Sequence, residues 1–339
     1  MSTTVKYAKD QTASGKPIRS SEPQSASLRA RHDEADMFLA SFRDLYPFES
    51  NFMELEDGHC LHYVDEGPKT AESPDSETLL CLHGNPTWSF FFRGLISGLR
   101  SHYRVVAPDH MGCGLSDKPQ DYAYTLEQHS LNVERLVLEL DLKNITLVLH
   151  DWGGAIGMGF ARRHPDRIKR IVVMNTAAFC STKIPFRIAV CRWPIFGPLA
   201  VRGFGAFSHA ALSMAIERKQ NMTDAVRRGY LAPYGGWHNR VATMAFVRDI
   251  PLNKSHPTYA ELRATDDALE NFKDTPMCII WGDRDWCFTT EFRKEWERRF
   301  ENARVHAVED AGHWILEDEG PNALRWIAQF LKDTPGSNE

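Results

Sequence analysis

The run Asn144-Ile145-Thr146-Leu147-Val148-Leu149, then His150-Asp151-Trp152-Gly153-Gly154, then Ala155-Ile156-Gly157-Met158-Gly159-Phe160-Ala161-Arg162-Arg163, decides the fold. Its first six residues are β-branched and apolar, the pattern of a buried strand. Its last nine read as an apolar helix rich in small residues. Strand, sharp turn and helix in that order form the context of a nucleophile elbow, whose glycines let the backbone fold tightly and lift one side chain above a sheet. Here the lifted group is the carboxylate of Asp151 and not a serine hydroxyl. A carboxylate needs no base to become a nucleophile, and it suits an sp³ carbon bearing a leaving group. Alone, Asp-x-Gly-Gly would read as an ordinary helix N-cap; the flanking strand and helix turn the reading to the elbow.

Working outward, Leu79-Leu80-Cys81-Leu82-His83-Gly84 reads as another buried strand, running into Asn85-Pro86-Thr87-Trp88-Ser89. In a hydrolase of this layout the loop after the third strand supplies one backbone N–H of an oxyanion hole. The residue after the nucleophile, Trp152, supplies the other. The Asn85 amide and the Trp152 indole add two side-chain donors, which makes an anion cradle if both aim at one point in an apolar pocket. Tyr103 to Asp109 reads as a further strand. The glycines of the following loop, residues 110–119, argue for tight backbone geometry and need imply no chemistry. Thr125 with Gln128 is a capping-box start for a helix to about Leu142. Ile168 to Asn175 is a strand again. Strands alternating with helices imply an α/β fold with a mostly parallel sheet covered on both faces.

The flanks divide the chain. Residues 1 to about 36 are Ser, Thr, Gln, Lys and Pro with Tyr7 as the only aromatic, so disorder is the default there. From Met37 the composition turns apolar and aromatic, as in a segment covering its own domain. Asp57-Gly58 inside Met53–Val64 favours a two-residue hairpin turn, because both positions tolerate positive φ. Residues 177–250 break the strand–helix rhythm and read as an inserted helical cap. They carry Phe179, Phe186, Trp193, Phe196, Phe204, Phe207, Tyr230, Tyr234 and Trp237, most of them expected in the cap's own core and a few roofing an apolar pocket. The resulting division is a tail over 1–45, a first core part over 46–176, the cap over 177–250 and a second core part over 251–335.

Composition narrows the function classes. The 339 residues are 42% hydrophobic and 25% charged with net charge -5, ordinary for a globular protein able to bury a sizeable core. Scattered Arg and Lys give no nucleic-acid footprint. The cysteines at 60, 81, 113, 180, 191, 278 and 287 form no Cys-x-x-Cys pair and read as reduced structural thiols. No apolar stretch is long enough to cross a bilayer and no signal-peptide core opens the chain, so the expectation is a cytoplasmic protein.

Three motifs carry a family resemblance: Asp109-His110-Met111-Gly112-Cys113-Gly114-Leu115-Ser116-Asp117-Lys118-Pro119, His83-Gly84-Asn85-Pro86-Thr87-Trp88, and His150-Asp151-Trp152-Gly153-Gly154. Together they resemble the haloalkane dehalogenase family of α/β-hydrolases, from about Tyr46 to about Leu331. The resemblance implies an α/β-hydrolase fold with an inserted helical cap domain. It implies Asp151 as nucleophile and Asn85 with Trp152 as the halide-stabilising pair. Some members place the triad acid just after the strand that ends here at Met174, where this chain has Asn175; the acid should then come from a later strand. Asp285, third after the glycine in Gly282-Asp283-Arg284-Asp285, stands where the family places it. Asp283 is the competitor, otherwise a loop-capping carboxylate. His313, in a Gly-His loop after the last strand, is the expected base and completes the order nucleophile, acid, histidine. Residues 201–207 and 230–252 look closest to the branch that includes the β-lactone decarboxylases of bacterial long-chain olefin biosynthesis.

What the resemblance implies is a haloalkane dehalogenase. Asp151 displaces halide from an sp³ carbon, Asn85 and Trp152 stabilise the departing anion, and water activated by His313 hydrolyses the Asp151 ester to an alcohol. The alternative keeps the residues and changes the leaving group, converting long-chain cis-β-lactones to cis-alkenes and CO₂. An epoxide hydrolase would use Tyr230 and Tyr234 as acids but leaves the Asn85 donor unexplained. A hydrolase-fold binding protein would usually have lost a catalytic residue, and none is lost. No metal or organic cofactor is needed. The expected partners are a small apolar substrate and a halide ion, not nucleic acid, with room for a homo-oligomer or association with pathway enzymes.

Overall fold

The computed structural model describes residues 22–68 and 77–334. Helix α1 (Glu22–Leu39) leads into the strands β1 (Asn51–Glu54), β2 (Cys60–Glu66) and β3 (Thr78–Leu82). Then α2 (Arg93–Leu99), β4 (Arg104–Pro108), α3 (Leu126–Glu139), β5 (Ile145–Asp151), α4 (Trp152–Ala161) and β6 (Ile168–Thr176) alternate. A helical segment follows: α5 (Phe186–Val190), α6 (Phe196–Pro198), α7 (Ala206–Met214), α8 (Asp224–Leu231), α9 (Val241–Asp249) and α10 (Tyr259–Ala268). The chain closes with β7 (Met277–Gly282), α11 (Thr290–Arg299), β8 (Arg304–Val308) and α12 (Ile315–Asp333).

Among the described residues the strands form one sheet in the order β1-β2-β4-β3-β5-β6-β7-β8. Only β1 with β2 and β2 with β4 run antiparallel; from β4 to β8 every neighbour is parallel. β5 is buried at every position, because a parallel sheet has helices on both faces and no solvent face. Alternate residues enter opposite cores. Leu147 and Leu149 join Val133 and Leu136 of α3 and Ile156 of α4, whereas Val148 joins Leu95 of α2 and Ile327 of α12. This is the mostly parallel sheet that the alternation of strands and helices predicts and the α/β-hydrolase fold that the resemblance implies, and it carries the elbow at its centre.

Local signals were read with mixed success. At α3, the Thr125 hydroxyl accepts from the Gln128 N–H at 3.3 Å as a cap should, but the Gln128 amide turns to Asn132 and Asp249 accepts from Leu126 N–H at 2.8 Å. The cap is therefore shared with the helical segment. The hairpin between β1 and β2 has a three-residue loop rather than a two-residue one. Leu55 N–H donates to the His59 carbonyl, Gly58 N–H to the Leu55 carbonyl, and Gly58 sits at φ 81°. This is a turn closed by a left-handed glycine that compensates the extra residue.

A larger difference lies at the start. Of residues 1–36, expected to be disordered, 1–21 lie outside the described residues, yet Glu22–Leu39 is helical. Its side chains find partners far along the chain. Arg31 forks onto the Asp117 carboxylate at 2.7 and 3.1 Å, Ala35 and Leu39 are buried, and Phe38 meets the Trp88 ring edge-on.

The helical segment between β6 and β7 is tied down on several sides. Trp88 donates its indole N–H to the Gly229 carbonyl, Trp286 to the Met214 carbonyl, and the backbone N–H of Trp314 to the Ala215 carbonyl. The expectation that its aromatics are mostly internal fails. Phe186, Trp193, Phe196, Phe204 and Trp237 are all exposed, while Phe179, Tyr230 and Tyr234 are buried. No helix among the described residues is long and apolar enough to cross a membrane.

Candidate active site

β5 ends at Asp151 and α4 begins at the next residue, so the chain reverses direction without a loop. Asp151 takes φ 51° and ψ -125°, a conformation that costs a non-glycine residue on the order of 1–3 kcal/mol and persists only where the surroundings enforce it. They do. A Cβ on Gly84 would lie 1.9 Å from Asp151 Oδ1, and one on Gly153 would lie 2.0 Å from the Leu82 carbonyl oxygen. Thr176, at the end of β6, donates its hydroxyl to the Asp151 carbonyl. Strand, turn and neighbouring loop thus fit together only with glycine at these contacts.

The Asn85 backbone N–H donates to Asp151 Oδ1 at 2.6 Å. The Asn85 side-chain amide donates to the Thr243 carbonyl of α9 at 3.1 Å, and its Oδ1 has no hydrogen-bond partner. The carbonyl fixes the amide orientation, because the reverse placement would set two oxygens face to face. One of the two N–H bonds of that amide is left for another acceptor. Trp152 lines the same cavity, its ring 5.3 Å from that of Phe246.

His313 stands between two carboxylates. Nε2 is 3.5 Å from Asp151 Oδ2, and Nδ1 is 2.8 Å from Asp285 Oδ2. Asp285 is itself held by the Cys287 N–H at 2.6 Å and by the Asn175 side-chain amide at 2.9 Å. Burial opposes a charge on His313, but Asp285 and Asp151 outweigh it and push its pKa up to about 10. Asp151 is likewise buried; the contact with His313 and the Asn85 N–H nevertheless hold its carboxyl below the ordinary carboxylate range. Both neighbours therefore favour the charged form of the His313 ring. Asp283, the competing acid, points elsewhere and pairs with Arg293 at 2.9 and 3.2 Å.

These groups open onto a cavity of about 680 Å³ whose walls are predominantly apolar, among them Phe179, Ile188, Val201, Leu262 and Phe288. The structure brings Asp151, Trp152, Asn85 and His313 to its wall, with Asp285 behind His313. Tyr230 and Tyr234 are not part of it. Tyr230 donates to Glu317, which also pairs with Arg93, and Tyr234 donates to the Thr87 carbonyl at 2.9 Å. The acids that an epoxide-opening reaction would need are spent on holding the helical segment to α12 and to the loop after β3.

Three contributors escaped the sequence reading. Asn175, noted there only for not being an acid, bridges Asp285 and Gly282 from the end of β6. Thr243 acts through its carbonyl and Thr176 through a hydroxyl on the elbow, and neither lies in a motif. Only Asn175 left a signal, by its position at the end of β6, the strand between β5 and β7.

Comparison with known proteins agrees with this geometry. Residues 77–320 match the family model described as alpha/beta hydrolase fold. A cis-3-alkyl-4-alkyloxetan-2-one decarboxylase from Shewanella oneidensis is 42% identical, with 86% of this chain and 90% of that protein aligned. A haloalkane dehalogenase from Mycobacterium marinum is 34% identical over 86% of this chain and 97% of its own length. The crystal structure of a haloalkane dehalogenase from Agrobacterium tumefaciens superposes with a TM-score of 0.74 at 26% identity, covering 85% of this chain and 97% of that one. With the elbow, the sheet order and these relatives in agreement, the chain belongs to the α/β-hydrolase fold family, as a haloalkane dehalogenase-like member on the side of the β-lactone decarboxylases.

Proposed function

We propose that the chain is a nucleophilic-aspartate enzyme that decarboxylates apolar cis-β-lactones, with haloalkane hydrolysis as the second reading. The observation that carries the chemistry is Asp151 itself, a carboxylate kept ionised on a strained turn at the wall of an apolar cavity. The relative with 42% identity favours the lactone over the haloalkane, whose relative stands at 34%.

In the lactone reaction Asp151 attacks the ring carbon that bears the alkoxy oxygen, with inversion. The carbon–oxygen bond breaks and its electrons stay on the oxygen, now part of a carboxylate held by the free N–H of Asn85 and the indole of Trp152. The bond from that carboxylate to the neighbouring carbon then supplies the electrons of the new double bond. CO₂ leaves, and the Asp151–carbon bond breaks in the anti sense and restores the carboxylate. Inversion and anti elimination together turn a cis-lactone into a cis-alkene. No water and no proton are consumed, so His313 can remain charged throughout. In the haloalkane reaction the Asp151 ester needs water, and His313 must first become neutral. Esterification removes one of the two carboxylates that raise its pKa, so the proton is lost more easily in that intermediate than in the free enzyme.

The two readings separate in one experiment. Product analysis on a cis-3,4-dialkyl-β-lactone should give alkene and CO₂ at a rate nearly flat from about pH 6 to about pH 9. Alcohol formation from a matched bromoalkane should instead rise with pH, through a midpoint below the about 10 of the free enzyme. Hydroxy acid in place of alkene from the lactone would sink the first reading.

The anion cradle has its own test. Trp152→Phe keeps most of the ring volume and removes the donor. Losing one such donor costs on the order of 3 kcal/mol, about a hundredfold in rate. Full turnover of both substrates by a normally folded Trp152→Phe protein would leave the departing anion without this partner.

A further inference from the structure

The helical segment carries more apolar side chain on its outer face than its own packing uses. Phe186 is 76% exposed, Ile195 78% and Phe204 79%, with Trp193, Phe196, Leu199 and Trp237 also exposed. They cluster on residues 186–204 and Trp237. The rings of Trp193 and Phe196 lie 6.4 Å apart, Leu199 and Phe204 are joined by a wide helical turn, and Trp237 borders Gly203. Contiguous exposed apolar area of this kind marks an interaction site. Phe186 and Phe196 also line the cavity, so this surface adjoins it.

Charge says what covers it. From Ala177 to Ile216 the chain has Lys183, Arg187, Arg192 and Arg202 but no Asp or Glu, within a protein of net charge -5. Lys183 is paired with Glu291, and Arg192 is held by the Val247 and Ile250 carbonyls. Arg187 and Arg248 are exposed. Arg202 lies half-buried over the Trp237 ring at 4.7 Å, donates to the Trp237 carbonyl and Gln120 without a carboxylate partner, and feels Arg248 as a neighbouring like charge. A second copy meeting this face through its own equivalent would set arginines against arginines. An anionic bilayer would instead receive the Phe, Trp and Ile side chains in its interface while its headgroups compensate the arginines.

We propose that this face docks on an anionic phospholipid surface and holds the cavity mouth against the bilayer, so that apolar substrate enters and apolar product leaves through lipid rather than water. The advantage rests on the apolar-substrate reading above; the docking does not.

The experiment is co-sedimentation of the full chain with phosphatidylcholine vesicles, with and without phosphatidylglycerol. Binding is expected to the anionic vesicles only, and high salt should release it. Ile195→Ser with Phe204→Ser, outside the cavity, should lower the binding constant at least about tenfold. Arg202→Gln with Arg248→Gln should do the same. Melting temperature and turnover of a water-soluble haloalkane, measured without vesicles, should stay unchanged in both. Absence of binding to anionic vesicles, or binding unaltered in both folded variants, overturns the proposal. So does self-association that Ile195→Ser with Phe204→Ser dissolves while vesicle binding persists. If the wild type binds vesicles yet turns over neither substrate class, the docking stands and the catalytic reading falls.

Discussion

Asp151→Asn is expected to remove turnover of lactone and haloalkane together, by about 10⁶-fold, the loss typical of deleting a catalytic nucleophile. Asparagine keeps the volume and is among the residues that best tolerate positive φ, so the turn at φ 51° should survive. Its amide is no nucleophile. An unchanged melting temperature would separate lost chemistry from lost folding. The complementary measurement is to trap the intermediate. His313→Ala removes the base that hydrolysis needs but leaves the attack intact. After incubation with a bromoalkane, intact-mass spectrometry should show an added alkyl group, and peptide mapping should place it on Asp151. An adduct elsewhere would show that the elbow carboxylate is not the attacking group.

Asp285→Asn should slow haloalkane hydrolysis by about 10⁴-fold, the cost of replacing a carboxylate that holds a catalytic histidine in its productive tautomer. His313 and the Asn175 amide both meet Oδ2, at 2.8 and 2.9 Å, and the Cys287 N–H donates to Oδ1 at 2.6 Å, so the new NH₂ group would face a donor on either side. Lactone decarboxylation should suffer less, because no proton leaves His313 in that path. Asp283→Asn should leave both reactions within about tenfold, since Asp283 serves Arg293. Equal losses from the two variants, measured as kcat with folded protein, would mean that Asp285 acts on structure rather than through His313.

The fold was legible because its decisive signals are local. A short β-branched and apolar run, one carboxylate and two glycines specify strand, turn and helix without reference to the rest of the chain. The candidate site was legible for a related reason, since Asn85 and His313 each follow a glycine in a loop after a strand, and Asp151 closes β5 two residues before Gly153. What depends on distant partners was not legible. Residues 28–39 look like tail until Arg31 meets Asp117 and Leu39 goes under cover. Tyr230 and Tyr234 look available until Glu317 and the Thr87 carbonyl occupy them. The outward aromatics could not be told from inward ones, because helices of three to nine residues between turns carry too little periodicity to fix a face.

The close approaches around the elbow also govern how such an enzyme can change over time. Side chains are barred at Gly84 and Gly153 by contacts near 2 Å, whereas the roof is built of short helices whose apolar side chains can be exchanged for one another. Variation is therefore admitted where the substrate is chosen and refused where the bond is broken. One constellation can then be inherited intact by enzymes with different leaving groups, and a lineage can move from one substrate to another by repainting its ceiling.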